Sequence, residues 1–510
     1  MADRRSKLLL RLAILGGIFA LGYYFSWWVA YARLQSVGYV LWLLAAVAYT
    51  AVQLGSSWFL YWVARRPSSP SRETIGLSVD VFVAAHHEPV DMIRASLQGA
   101  CSMRGDHVTW LLDDGPDPSL TSMAASLGAR YLSRDDHIDA KAGNLNEALA
   151  KSSGDIVVIF DVDHVPRPDF LEHTLGLFAD PRMGFIQVML TFSNDGDSWV
   201  ARAAAETSLD YYNPTSLGTY GIGGATLMGS NALIRRKALE SIRGYRPGLA
   251  EDLATSLALH AAGWKSTYVA EPLAPGLAPP DLTAWFTQQL KWARGVFELL
   301  LTDFPRVFRR LTWGQRLSYV VRMTKYWVGP AVAFHLFATI AILMFASFET
   351  RAVFHAYLDH IAPLVFADVL IRHLALRAYR HSQIQGTSLI RAITLVYATW
   401  PIYLYAWLLA LLRVRVGFRS TPKRISGGLN PIWLAPQFLA VGLLVAGILY
   451  TVLVIGHPVS LLLLAAIGQG FLQLVLLYRW LQLELGLRRK APQPRSRVDQ
   501  AASYEPFDLV

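Results

Sequence analysis

Apolar residues along this chain gather at its two ends. Residues 8–30 and 37–63 are almost unbroken apolar runs, each longer than the ~20 residues a helix needs to cross a bilayer core. Trp27, Trp28 and Tyr31 close the first run as an interfacial belt, where a cleaved signal peptide would carry small residues. Clear runs return at 326–348, 432–455 and 459–482. Another, 353–376, is interrupted by His355, Asp359, His360, Asp368 and Arg372. Polar groups inside a span are costly unless they face water or a partner, so this run reads as part of a polar conduit, or else as a surface segment. The stretch 388–412 is long enough to cross. Crossing would put one of the basic clusters at 413–424 and 488–497 on the wrong side, so it reads as an interfacial helix. The pattern predicts six spans with both termini inside.

Between the ends the pattern changes. A linker, RRPSSPSR at 65–72, opens a mixed and normally charged region. Short apolar runs at 79–85, 107–114, 155–163 and 184–190 end in polar loops, and helical stretches such as 144–152 separate them. That alternation predicts a parallel sheet covered by helices, with ligands at the carboxyl ends of the strands.

Composition fits a soluble domain set between membrane segments. The 510 residues are 53% hydrophobic and only 16% charged, with a mean hydropathy of +0.32. The net charge of +10 alone could suggest nucleic acid. The basic residues argue for lipid headgroups and against nucleic acid. Arg4, Arg5, Lys7, Arg65 and Arg66 flank the first runs, and Arg488, Arg489, Lys490, Arg495 and Arg497 follow the last. A single cysteine, Cys101, excludes an intramolecular disulfide and fits a reducing compartment.

The candidate chemistry falls at the strand ends. Asp161-Val162-Asp163-His164 closes an apolar strand, and carboxylates two apart on a strand point the same way. Such a pair can hold Mg2+ or Mn2+, which also binds a diphosphate and neutralises its charge as it leaves. An isolated Asp-x-Asp is more often a solvated strand end. Here Asp113-Asp114-Gly115 and His86-His87-Glu88 end two other strands on the same edge. Carboxylates there can accept hydrogen bonds from a base or a ribose. Lys141 lies near a helix start, where phosphate is favoured, although it could be a surface lysine. Glu251-Asp252 opens a helix. This is either helix-dipole chemistry or a general base that takes a proton from an attacking hydroxyl. Gln288, Lys291 and Trp292 lie in an aromatic stretch, where Trp292 could stack on a sugar ring or anchor an interfacial helix.

This ordered set resembles the processive family 2 glycosyltransferases, such as bacterial cellulose synthase catalytic subunits, curdlan synthases and hyaluronan synthases. The family motifs DDG, KAGN, DxD(H), a glycine-serine finger, TED and QxxRW read here as Asp113 to Gly115, Lys141 to Asn144, Asp161/Asp163/His164, Met228-Gly229-Ser230, Ala250-Glu251-Asp252 and Gln288/Lys291/Trp292. Phe418 to Lys423 looks like the FxVTxK gating loop. Lys291 stands where the family has arginine, and Arg294, nearby on the same helix, could compensate. Ala250, Met228 and Ser420 are further departures.

The resemblance implies an α/β GT-A domain, at 72–278 and on the cytoplasmic face of the plasma (inner) membrane, inserted in an α-helical transmembrane channel domain. Two spans would lie within 1–66. Interfacial helices would occupy 279–321, four spans with the gating loop 322–482, and a basic tail 483–510. By resemblance, His86, Glu88, Asp113, Asp114, Lys141, Asp161, His164 and Lys423 bind the nucleotide-sugar donor. Asp161 and Asp163 hold the metal, and Asp252, with Glu251 beside it, is the base. Met228, Gly229, Ser230, Gln288, Lys291 and Trp292 line the acceptor site and channel entrance. Phe418, Thr421 and Lys423 close over the donor.

The expected activity is inverting, processive polymerisation of UDP-glucose into a β-glucan, with translocation of the polysaccharide and room for accessory subunits in export. Two alternatives are a non-processive transferase acting on a lipid acceptor and a transporter with a degenerate domain. Intact Asp161, Asp163 and Asp252 argue against the second. The tail is too short for the β-barrel through which cyclic di-GMP moves the gating loop in cellulose synthases, so the chain alone is expected not to respond to it.

Overall fold

A computed structural model describes residues 4–31, 49, 51–67, 76–115, 117–134, 136–345, 348–381, 389–417, 420–425, 429–456 and 461–490. Its central domain is built on nine strands: β1 (Val79–Ala85), β2 (Val108–Asp113), β3 (Arg130–Ser133), β4 (Ile156–Asp161), β5 (Met183–Val188), β6 (Thr191–Phe192), β7 (Ala232–Arg235), β8 (Lys265–Val269) and β9 (Pro275–Gly276). Seven form one sheet in the order β3-β2-β1-β4-β7-β5-β8, and β6 pairs with β9. Apolar side chains from the two faces of the sheet enter separate cores. Val81, Val83 and Val158 lie on one side, and Phe82, Val157 and Ile159 on the other. Burial on both faces is why these strands read as continuous apolar runs.

The sheet is mixed, which corrects the parallel sheet expected from the alternation. β7 runs antiparallel to both β4 and β5. The reversal places the start of β7 beside the end of β4, with Ile159 opposite Ala232. The loop entering β7 therefore arrives at the edge where the acidic strand ends open.

Four helices among the described residues are long and apolar enough to cross a membrane: Arg4–Trp28, Trp313–Phe345, Pro431–Ile455 and Leu462–Leu483. A fifth candidate is a bent pair, Ile390–Ala398 and Trp400–Leu411, which meet at 43°. The stretch that reads from the sequence as an interfacial helix is a helix broken at Thr399, with Pro401 in the first turn of its second half. Pro401 lacks the N–H that a continuous helix would need. The Ala398 carbonyl, freed at the break, accepts from Gln437 at 3.0 Å, and the Thr399 hydroxyl accepts from Trp285 Nε1 at 2.9 Å, so neighbouring helices hold the break in place. Of the expected run 37–63, residues 37–48 and 50 lie outside the described residues.

The interrupted run 353–376 is the helix Phe348–Tyr379, which is not among those candidates. Two of its polar groups, Asp368 and Arg372, are committed to partners. Arg372 binds Asp368 at 2.7 Å, Asp210 at 3.1 Å and the Tyr61 hydroxyl at 3.0 Å. Trp58 donates to Asp368 at 2.9 Å and Tyr61 to Asp210 at 2.6 Å. The network pins this helix and Ser56–Val63 to the helix Trp199–Asp210 of the central domain. Arg372→Met would leave two carboxylates without their cation. We expect a loss on the order of 2 kcal/mol, seen as a lower melting temperature of the purified protein in detergent. An unchanged melting temperature would mean that the network contributes no stability.

Candidate active site

The ends of β1, β2 and β4 open onto one cavity of about 410 Å3. The helix Leu282–Leu301, the helix Trp313–Thr324 and residues 420–423 also line it. β4 delivers Asp161 as its last residue and Asp163 two positions on, and both face the cavity. Each carboxylate is met by a lysine. Lys141 donates to Asp161 and, at 2.8 Å, to the Gly229 carbonyl. Lys423 Nζ lies 2.8 Å from Asp163 Oδ2. Burial alone would raise both carboxyl pKa values. Lys141 and His164 overcome it and hold Asp161 at about 2, and Lys423 with His164 keeps Asp163 below the usual carboxylate range. Against their own burial, the same pairs hold Lys141 and Lys423 above the ordinary lysine value.

Among the described residues no group of three or more His, Cys, Asp or Glu side chains converges as a complete metal cage. Two carboxylates at one strand end still fit a hard ion such as Mg2+, which keeps water and takes its other ligands from a substrate diphosphate.

Lys141 owes its place to an unusual helix start. Asp139 and Ala140 both have left-handed φ, 61° and 45°, just where the helix Ala140–Lys151 begins. Arg134 holds this turn by donating to the Ile138 and Ala140 carbonyls at 2.7 Å each. Its Nε also reaches Asp114 Oδ1 at 2.5 Å, fixing that carboxylate at the cavity wall. His86 and Glu88 line the same end. The His86 ring is 3.1 Å from the Asp114 carbonyl, and burial raises the Glu88 pKa.

The loop before β7 forms the opposite wall. Met228 and Gly229 face the cavity. Gln187, fully buried at the end of β5, accepts from the Met228 N–H at 2.7 Å and donates to the Ser230 carbonyl at 2.8 Å. Gly229 has φ 88° and Asn231 φ 56°, and the Asn231 amide bonds the Ala274 carbonyl at 2.8 Å to hold the tight turn.

Glu251 and Asp252 open the helix Glu251–Ala261 and line the cavity. Asp252 Oδ1 accepts from the Leu253 N–H at 2.7 Å, and Oδ2 from Arg322 at 3.2 Å. Burial, then neighbouring Asp252, pushes Glu251 up to about 7, against Lys141 and Lys291. Burial also lowers Lys291, which Glu251 partly offsets. Gln288, Lys291 and Trp292 present one face of Leu282–Leu301 to the cavity.

Three of the expected site residues stand elsewhere. Asp113 is buried within its own loop, accepting from the Gly115 and Asp117 N–H groups and the Tyr131 hydroxyl. His164 is turned away, with Nδ1 3.1 Å from the Ala274 carbonyl. Ser230 is buried, and its hydroxyl accepts the Asp161 N–H at 3.0 Å, tying the loop to β4. These three support the site and do not line the cavity. Phe418 lies outside the described residues, whereas Thr421 and Lys423 line the cavity. Arg294 does not stand in for an arginine at position 291. It is buried and binds Glu298 and the Val414 carbonyl, each at 2.8 Å, anchoring the approach to Thr421.

Sequence reasoning missed Tyr211, Tyr212, Arg322, Lys325 and Tyr326, all on the cavity wall. For Arg322 and Lys325 a signal existed. They lie three apart, on one helix face, at the head of an apolar run. Nothing in the sequence around Tyr211 distinguished it.

Residues 78–295 match the family model described as "Glycosyltransferase like family 2". The chain carries a family 2 glycosyltransferase domain. With part of the flanking sequence, this glycosyltransferase region is 32% identical over 320 residues to "Cellulose synthase 1" of Komagataeibacter xylinus, covering 60% of this chain and 20% of that protein. It is 31% identical over 318 residues to the "Cellulose synthase catalytic subunit [UDP-forming]" of Pseudomonas fluorescens, covering 61% and 42%. The chain thus spans between a fifth and about two fifths of the length of these curated relatives. Among solved structures, a mannosyltransferase from Pyrobaculum calidifontis in complex with GDP-Man and Mn2+ aligns with a TM-score of 0.48 at 19% identity. That alignment covers 65% of this chain and 96% of that one.

Proposed function

We propose that the chain is a processive, inverting glycosyltransferase of the plasma membrane that polymerises UDP-glucose into a β-glucan and passes the polymer across the bilayer. Its catalytic domain faces the cytoplasm in this reading, and Phe348–Tyr379 and the run 37–63 complete a six-span arrangement. One observation carries the proposal. One cavity at the foot of the apolar helix Trp313–Phe345 brings together the Asp161 and Asp163 carboxylates with Lys141 and Lys423, the acidic helix start Glu251-Asp252 and the face of Gln288, Lys291 and Trp292. The likeness to cellulose synthases, one of them named UDP-forming, supports glucose and UDP as the donor parts.

In this mechanism the UDP end of the donor lies near His86, Glu88 and Asp114. Asp161 and Asp163 would hold Mg2+ or Mn2+ beside the diphosphate. When bound, the ion neutralises charge building on the leaving diphosphate. Lys141 and Lys423, now paired to those carboxylates, turn toward the phosphates. Asp252 takes the proton of the acceptor hydroxyl as its oxygen attacks the anomeric carbon from the face opposite UDP. Trp292 stacks on the acceptor sugar, beside Gln288 and Met228, so that the elongated chain stays at the channel entrance.

Product size tests the proposal. Membranes containing the chain and given radiolabelled UDP-glucose should yield a high-molecular-weight polymer that a β-glucanase digests. Trp292→Ala should shorten it while donor hydrolysis continues. Label confined to a lipid extract would favour the lipid-acceptor transferase instead.

A further inference from the structure

We propose that Arg322 is the positioning residue for the base Asp252, so that this chain sets its base from the first apolar helix after the catalytic domain. The inference rests on the reading of Asp252 as base. Arg322 lies in the last turn of Trp313–Thr324, within the candidate span Trp313–Phe345. Its guanidinium gathers groups from two other places. Nη2 lies 3.2 Å from Asp252 Oδ2, and Nη1 donates to the Leu227 carbonyl at 2.8 Å and to the Thr226 hydroxyl. Those two residues lead directly into Met228 and Gly229, the acceptor wall. The Tyr211 ring, with its centroid 5.6 Å from the guanidinium carbon, covers one face. A planar fork can hold the base and the acceptor loop together, whereas a lysine ammonium is a point charge on a flexible stem.

The carboxylate geometry explains what this achieves. Asp252 Oδ1 is held by the Leu253 N–H and Oδ2 by Arg322. One fixed partner on each oxygen stops the carboxylate from rotating and leaves lone pairs for the acceptor hydroxyl. A general base works only within hydrogen-bond reach of its proton, and small misplacements are costly. The backbone bond to Leu253 alone would let the group pivot.

The test compares Arg322→Met, Arg322→Lys, Asp252→Asn and the Arg322→Met/Asp252→Asn double variant in the full-length membrane protein. Arg322→Met should lower kcat by on the order of 10- to 100-fold, the scale of a misplaced catalytic group. The KM for the nucleotide-sugar should change by no more than about twofold, because the donor half of the cavity is untouched. Arg322→Lys should recover part of the kcat. On an Asp252→Asn background, Arg322→Met should cost nothing further, since no base remains to be positioned. An unchanged kcat, a donor KM that worsens as much as kcat, or fully additive losses would each overturn the proposal. If Arg322→Met does not accumulate, the same kcat and KM split in Arg322→Lys decides it. Near-normal turnover in Asp252→Asn alone would show instead that the base assignment has failed.

Discussion

Asp163→Asn should lower sugar transfer by on the order of 10³-fold, the rate equivalent of the several kcal/mol a bound metal supplies at a leaving diphosphate. Asp163 is buried and faces the cavity beside Asp161, and asparagine keeps its shape while removing its charge. The substitution also strips Lys423 of its ion-pair partner, whose Nζ stands 2.8 Å away. Lost turnover in a protein that still accumulates and melts as the unaltered one does would therefore point to the ion, not to a collapsed site. Chelation gives an independent arm that needs no mutation. EDTA should abolish transfer by the unaltered protein, and Mg2+ or Mn2+ should restore it. Full activity in excess chelator would rule out the metal role for Asp161 and Asp163.

The long apolar runs made much of this architecture readable. β1, β2, β4 and β5 are buried on both faces, so each stands out without alternation, and the acidic residues at or just past the ends of β1, β2 and β4 follow from that placement. The missed strands are short or weakly patterned. β3 has four residues at the sheet edge and starts on exposed Arg130, and β8 opens on Lys265. The direction of β7 was beyond reach. Four residues, Ala232–Arg235, carry no pattern that separates parallel from antiparallel. The turn through Gly229 and Asn231, held by Gln187 and the Ala274 carbonyl, sets it. The break at Thr399 had a sequence signal in Pro401, which lacks a helix N–H, but the contacts from Trp285 and Gln437 that hold it are distant in sequence and could not be read.

The site was legible where a motif names the side chain that faces the cavity, as for Asp114, Lys141, Asp161, Asp163, Asp252 and Trp292. A motif does not tell a lining group from one that holds the lining in place. Asp113, His164 and Ser230 sit inside motifs, yet each spends its polar atoms on neighbouring backbone or on Tyr131. Arg322 shows the converse. It belongs to none of the motifs, and only the fold brings its helix against Asp252 and the Thr226–Leu227 segment.

Asp252→Asn should lower turnover by at least ~100-fold, the lower end of what a general base contributes, while donor affinity survives. Its neighbour provides the control. Burial and the charge of Asp252 push Glu251 up to about 7, so Glu251 keeps its proton toward neutral pH. Glu251→Gln mimics that protonated form and should retain most of the turnover. Stability should then follow pH with a definite sign. Folding raises the Glu251 pKa, so the folded protein holds this proton more tightly than the unfolded chain does. The stability it contributes is present in full below about pH 4.5 and is lost as pH rises through about 7. The melting temperature of the wild type should fall across that window, and Glu251→Gln should flatten the fall. If Glu251→Gln were the inactive variant and Asp252→Asn the active one, the base would be Glu251, and the contact between Arg322 and Asp252 would lose its catalytic meaning.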